Sequence, residues 1–395
     1  MAAAGRWRAA VPHAVAARAE LVVALSRAIH LEPELAFAEH HAADAITDLL
    51  AREGFAVELG VAGLPTAFTA TVGTGPLTVA ICVEYDALPG IGHACGHHLI
   101  AGAGVAAALG LQPVAGELGL RVKVIGTPAE EHGGGKVLLL ERGVFDDVDL
   151  AVMVHPLPAD HGFNPRGTTS QAVGRYRATF HGRGAHAAAS PHRGVNAADA
   201  AVVAQVAIGL LRQQIPGDHR VSAVVAHGGD ATNIIPERAV VDFECRAYSM
   251  PEFESLLERV RRCFEAGALA TGAGLEIVAT EPVYEPLEHD DVLCDHWAAA
   301  LESLGYDTTP GAGPKGGSTD MGNVSRVIPS IHPWVSIPTT TASIHTAEFA
   351  AAAIEPAALE VMLDAGTALA LTVAGAATSA EAVTLLRARR AELAS

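Results

Sequence analysis

Glu84–Ile100 reads EYDALPGIGHACGHHLI and directly follows the apolar run LTVAICV at 77–83. A run suited to a buried strand gives way to a turn crowded with Glu84, Asp86, His93, Cys95, His97 and His98. Several potential metal ligands therefore leave the end of one predicted strand. Gly92 and Gly96 flank Cys95 and His97 and permit turns close to a ligand. Local sequence alone leaves two readings open here, a metal site and a structural loop with packed histidines.

Working outward, the chain repeats this arrangement. LRVKVIG at 120–126 predicts a second buried strand, and Glu130 and Glu131 follow it side by side before a Gly run. Adjacent acids after a strand are commonly solvated. Catalysis supplies another reason for the pair, because one carboxylate can hold a metal while its neighbour accepts a proton from water. DLAVMVHP at 149–156 predicts a third strand that delivers His155 at its end. Open α/β sheets place their sites at the carboxyl ends of strands, so three such ends point one way.

Before these strands, residues 14–53 predict helices, followed by strands in FAVELG and TAFTATVG. LIAGAGVAAALGLQPVA after the Cys95 turn predicts a helix of small residues for close packing against the sheet. Near residue 172 the pattern changes. GRYRATFHG, VNAADAAVVAQVAIGLLRQQI, HRVSAVVAHG, RAVVDFECRAYS, PEFESLLERVRRCFEAGA and LEIVATEP read β-α-β-β-α-β, the ferredoxin-like order. Residues 173–283 are therefore expected to form an inserted domain, with 1–172 and 284–395 as a discontinuous α/β domain. The insert has its own polar candidates, His186 in HGRGAHAAASP, Asn233 in ATNIIPERA and Arg246; packing and function explain His186 equally well on local grounds. After the insert come a helix at 291–306, a GGSTD turn, His345 and long Ala-rich helices that would cover the sheet.

Composition limits the function. At 395 residues with half of them apolar, the chain can build more than one core. Against 44 Asp and Glu there are 26 Lys and Arg, a formal charge of -18, which repels phosphate backbones and anionic lipid. Nucleic acid and membrane partners are not expected, whereas a small molecule carrying positive charge would be tolerated. The five cysteines are scattered and odd in number, which predicts a reducing, cytoplasmic setting. The N-terminal stretch has two early arginines but no continuous apolar core, and reads as an exposed amphipathic helix.

GHACGHH, PAEEHGGG, VMVHP, GRGAHAAASP and SIHTAEF, in this order, resemble the dinuclear metal amidohydrolases and dipeptidases of the aminoacylase and carboxypeptidase G superfamily. The resemblance runs from about residue 20 to residue 375 and is to the cysteine-containing branch. EYDALPGIGHACGHHLI, GSTDMGNVSRVIPSIHPW and ATNIIPERA look most like the group that cleaves β-alanyl-lysine or Xaa-Arg dipeptides, with aminobenzoyl-glutamate hydrolase next. It implies a mixed-sheet, zinc-peptidase-like catalytic domain and an inserted domain through which a homodimer forms. The implied metal ligands are Cys95, His97, Glu131, His155 and His345, and the implied general base is Glu130. Asp86 would orient a metal-binding histidine, and His186 would cross a dimer contact to stabilise the oxyanion in the partner's site. Asn233 and Arg246 would face substrate. Two positions depart from the pattern: His98 stands where relatives more often carry Asp or Asn, and Glu84 where the histidine-based branch has a ligand.

The implied chemistry suits these residue types. An amide is a poor electrophile, and two divalent ions can acidify a water molecule and polarise the carbonyl. Thiolate and imidazole ligands favour Zn²⁺, with Mn²⁺ or Co²⁺ as alternatives. The expected reaction is hydrolysis of a dipeptide or N-acyl amino acid, and the acidic composition is compatible with a basic leaving residue. Aminobenzoyl-glutamate or a folate fragment is the rival substrate. A catalytically silent metal-binding homologue is the rival of another class, disfavoured by the presence of both Glu130 and Glu131 with all five ligands.

Overall fold

The computed structural model describes residues 5–159, 163–309 and 316–393. Chain contacts divide it into two compact units, 1–169 with 287–395, and 170–286. The larger unit opens with α1 (Trp7–Ala16), α2 (Ala19–Leu31), α3 (His40–Arg52), β1 (Ala56–Leu59), β2 (Phe68–Val72) and β3 (Leu77–Val83). It continues through α4 (His97–Leu111), β4 (Leu120–Gly126), α5 (Gly135–Glu141), β5 (Leu150–Val152) and β6 (His155–Leu157). The smaller unit holds β7 (Ala172–His181), α6 (Ala197–Leu211), β8 (Arg220–His227), β9 (Arg238–Ala247), α7 (Met250–Thr271) and β10 (Gly274–Ala279). The chain then returns to the larger unit with α8 (Asp291–Ser303), α9 (Met321–Ser325), β11 (Ser330–Ile331), β12 (Trp334–Ser336), α10 (Ala347–Ala352), α11 (Pro356–Thr378) and α12 (Ala380–Leu393).

The main sheet runs β1-β2-β4-β3-β5-β11. β1, β2 and β4 pair antiparallel, whereas β4, β3, β5 and β11 are mutually parallel. β3 is buried at every position, as a central parallel strand covered on both faces must be. Leu77, Val79, Ile81 and Val83 join the core formed with α1, α2, α4, α8 and α11, while Ala80 and Cys82 join a second core with Leu139, Phe145 and Met321. α4 carries no polar face because it is enclosed on all sides. Gly104 lies so close to Val83 that a Cβ there would come within 2.3 Å of it, which is why a helix of small residues fits this place.

The N-terminal segment departs from its expected exposure. Trp7, Val11, Ala14 and Val15 on one face of α1 are buried in the main core, because that stripe covers apolar surface on α4 and α11. By length and composition α11 could cross a membrane, yet it is buried over most of its length as a core helix.

The smaller unit is a four-stranded antiparallel sheet in the order β10-β7-β9-β8, carried on β-α-β-β-α-β connectivity as the sequence predicts. Phe180, Phe243, Phe253 and Phe264 fill its core, and Gly267 lets α7 approach the Ala200 carbonyl of α6. β8 is an edge strand with only Val221 buried. Exposed Val202, Val206 and Leu210 form an i, i+4, i+8 stripe on α6.

Candidate metal centre

The three predicted strand ends are neighbours in the sheet, in the order β4-β3-β5. β3 ends at Val83 and hands on directly to Glu84 and Asp86; β4 leads to Glu130 and Glu131, and β5 to His155. The loop after β3 closes at Gly96, whose φ of 78° and close approach to Pro156 suit glycine, and α4 then starts on His97. His345 arrives from the other side of the insert. Its amide donates to the Ala94 carbonyl at 2.8 Å, and its φ of 64° turns the ring back towards Glu131.

All five expected ligands converge. Among the described residues, Cys95, His97 and His155 offer ligand atoms within 4.8 Å of one another; so do Cys95, Glu131 and His345, and Glu84, His97 and Glu130. Cys95 is shared by the first two groups, as a ligand serving two adjacent ions would be. Cys95 Sγ lies 3.4 Å from His155 Nε2, and His345 Nε2 lies 3.3 Å from Glu131 Oε1.

Hydrogen bonds fix which histidine nitrogens face inward. His97 Nδ1–H donates to Asp86 Oδ1 at 3.0 Å and His155 Nδ1–H to the Pro156 carbonyl at 2.8 Å, so each Nε2 presents a lone pair. Asp86 Oδ2 also accepts the Glu131 amide at 3.0 Å, tying two strand ends together. His97 Nε2 and Glu84 Oε2 are buried without a hydrogen-bond partner and lie 3.7 Å apart. Orphaned acceptors converging on a thiol, imidazoles and carboxylates are the donor set of a divalent cation, and the residues present fit two such ions.

The adjacent acids differ electrostatically. Burial, then the charges of Glu84 and Glu131, push Glu130 well above the ordinary carboxylate range. Burial would also raise Glu131, but His345 and His97 outweigh it and hold this carboxyl at about 2. His155 is lowered to about 3 by burial and the neighbouring His97. Burial raises the Cys95 thiol, which a thiolate-binding cation would reverse.

Residues 169–271 match the peptidase dimerisation domain family. Mus musculus Xaa-Arg dipeptidase is 41% identical over 372 residues, covering 90% of this chain and 85% of that protein. A Bacillus subtilis dinuclear metal binding peptidase from the M20 family shares the fold, with a TM-score of 0.67 at 23% identity over 91% of this chain and 99% of that one. The chain belongs to the M20 peptidase family. The p-aminobenzoyl-glutamate hydrolase of Escherichia coli supplies a further relative, 34% identical over 264 residues that cover 62% of this M20 chain and 54% of that protein.

The other expected site residues lie in the smaller unit. His186 is exposed, and its Nδ1 accepts the Ala188 and Ala189 amides, each at 3.2 Å. That leaves the ring proton on Nε2, facing outward as a donor. Asn233 is exposed, and its carbonyl accepts the Ala187 amide of the His186 loop. Arg246 is bound by Glu244, with Nε 2.9 Å from Oε1.

Two features of this M20 site escaped the sequence reading. Lys136 is fully buried, and its ammonium pairs with Glu84 and with Asp320, the latter at 2.7 Å. Burial disfavours its charge, but the two carboxylates prevail and raise its pKa. Glu84 thus turns one oxygen to a lysine and the other towards His97. His98 turns away from the ligands; its Nε2–H donates to the Ala353 carbonyl, and its ring packs edge-on against His30 and His93. No signal in the sequence pairs Lys136 with residues 52 and 184 positions away.

Proposed function

We propose that this protein is a metal-dependent dipeptidase that releases a basic C-terminal residue, arginine first, from a dipeptide. The observation that carries this reading is the 41% identity to Xaa-Arg dipeptidase across nine-tenths of the chain, with all five candidate ligands brought together in one centre. Cys95, His97, Glu131, His155 and His345 would hold two divalent ions, with Zn²⁺ favoured by the thiol and imidazoles. Such ions acidify a water molecule and polarise the scissile carbonyl. Glu130 takes the proton of the attacking water and passes it to the leaving amine; its raised pKa suits a group that must both accept and give a proton. Asp86 holds His97 in one tautomer and anchors the Glu131 backbone.

The dimerisation-domain match, the exposed edge strand β8 with Val224 and Val225, and the apolar stripe of α6 support a homodimer formed through the smaller unit. Within it, His186 Nε2–H is offered as the donor to the oxyanion of the partner's site, and Asn233 and Arg246 as substrate contacts. Unpaired cysteines at all five positions are in keeping with a cytoplasmic enzyme.

Purified protein is assayed with Zn²⁺, Mn²⁺ or Co²⁺ on alanyl-arginine, β-alanyl-lysine, N-acetyl amino acids and aminobenzoyl-glutamate. Fastest turnover of the basic dipeptides, lost on chelation and restored by metal, is expected. Preference for aminobenzoyl-glutamate would transfer the assignment to the folate-fragment reading, and undiminished activity after complete metal removal would reject both.

A further inference from the structure

Glu39 is fully buried at the start of α3, yet its side chain does not cap that helix. Instead it turns towards the loop that carries the two catalytic-site glutamates. Its Oε1 accepts two backbone amides, Phe37 and Ala129, each at 2.9 Å. Its Oε2 accepts the Thr66 hydroxyl at 2.8 Å. The two amides belong to residues of the same unusual kind: Phe37 has a φ of 61° and Ala129 a φ of 63°, the left-handed region that side chains disfavour. Among the described residues only Ala62 and His345 share that feature without being glycine.

Both strained residues bear on one turn. Ala129 immediately precedes Glu130 and Glu131, and its carbonyl accepts the Gly134 amide at 3.0 Å. Phe37 lays its ring on Gly133 so closely that a Cβ there would come within 2.3 Å of it. A single carboxylate oxygen therefore holds the backbone entering the turn and the side chain covering its exit. On the far side, the Tyr85 hydroxyl donates to the Thr66 carbonyl, and Tyr85 is the neighbour of Asp86, which binds the Glu131 amide.

We propose that Glu39 is the positioning residue of the Glu130–Glu131 turn, holding Ala129 in its left-handed conformation so that the Glu130 carboxylate stays aimed at its proton-transfer station. The inference rests on the reading of Glu130 as proton carrier. Its requirement is an accepting oxygen at the Oε1 position, not a charge. In Glu39→Gln the amide oxygen can take both backbone N–H groups while the NH₂ donates to the Thr66 hydroxyl. Glu39→Leu removes both acceptors. Ala129→Gly makes the left-handed conformation available without help.

The test uses the full-length, metal-loaded protein. Glu39→Leu should lower kcat on alanyl-arginine by about 10–100-fold, the penalty of a small displacement of a catalytic group. KM and bound metal should stay within about twofold of wild type by the same logic. Glu39→Gln should remain within about threefold of wild type, and Glu39→Leu with Ala129→Gly should regain a large part of the lost turnover. Hydrogen exchange read by mass spectrometry on the segment 128–134 should be faster in Glu39→Leu and return towards wild type in the Gly-containing double variant. If Glu39→Leu does not fold, Glu39→Asp is read the same way, since its shorter arm cannot reach both amides. Wild-type turnover in Glu39→Leu, an equal loss in Glu39→Gln, or unchanged exchange at 128–134 overturns the proposal. Should wild type hydrolyse none of the dipeptides, the functional reading fails, and the exchange measurement still decides what Glu39 holds.

Discussion

Lys136→Met exchanges the buried ammonium for an uncharged side chain of similar length and leaves Glu84 and Asp320 facing each other without their cation. All three side chains are fully buried, and the Lys136 Nζ to Asp320 Oδ1 distance is 2.7 Å, so solvent cannot take over the lost role. Breaking a buried pair by removing one partner costs about 3–5 kcal/mol, and two stranded carboxylates place this variant at the upper end of that range. Urea denaturation in EDTA, which removes the contribution of metal binding to stability, measures the difference. The sign with pH follows from the carboxylates. Burial already holds Glu84 above its ordinary 4.5 with Lys136 in place, and loss of the lysine raises it further. A group with a raised folded-state pKa favours the native state below its unfolded pKa and disfavours it as pH climbs through the folded value. The deficit of the variant should therefore be largest at pH 8 and shrink towards pH 5. Adding Glu84→Gln should recover part of it at pH 8. A deficit below about 1 kcal/mol at pH 8, or one that grows on acidification, would refute the view that Lys136 is the counter-charge of this centre.

Glu130→Gln should keep both metals and lose about 10²–10⁴ in kcat, measured at saturating dipeptide alongside elemental analysis. Glu131→Gln should fail differently, with metal content falling first and activity partly recovered at high added metal. His186→Ala should fold and bind metal but lose about 10²–10³ in kcat, as for one oxyanion donor; mixing it with Glu130→Gln under subunit exchange should restore activity if the histidine acts in trans. Val206→Asp should drive the protein towards monomer in light scattering without lowering its metal content, because it puts a charge in the apolar stripe of α6.

The sequence carried the parts of the site that lie at strand ends. An apolar run followed by ligand-type residues is a local pattern, and it occurs three times, at Glu84–His97, Glu130–Glu131 and His155, on strands that prove to be adjacent. The β-α-β-β-α-β order of the insert was equally legible, since its helices and strands alternate cleanly in period. The exposure expected of the N-terminal helix was not met, because amphipathicity announces an apolar stripe but not what covers it; Trp7 and Val11 found α4 and α11.

What sequence periodicity could not reveal are the groups whose meaning lies wholly in distant partners. Lys136 follows a Gly run at the start of a short helix, where a lysine is ordinarily solvated, and only the fold brings Glu84 and Asp320 to it. Glu39 looks like a surface acid on an amphipathic helix until its two backbone donors are seen, one two residues away and the other ninety. Both lie behind the Glu130 turn in the chain of contacts, and neither is among the five candidate ligands. The ligands had chemistry visible in their residue types. Their supports are ordinary residue types made consequential by burial, since a buried charge or acceptor persists only where partners have been brought to it. The same rule gives Glu84 its place: one oxygen satisfied by Lys136 and the other left open towards His97 make it the point where the counter-charge and the metal centre meet, so that a change at Lys136 is transmitted to the ligands through a single side chain.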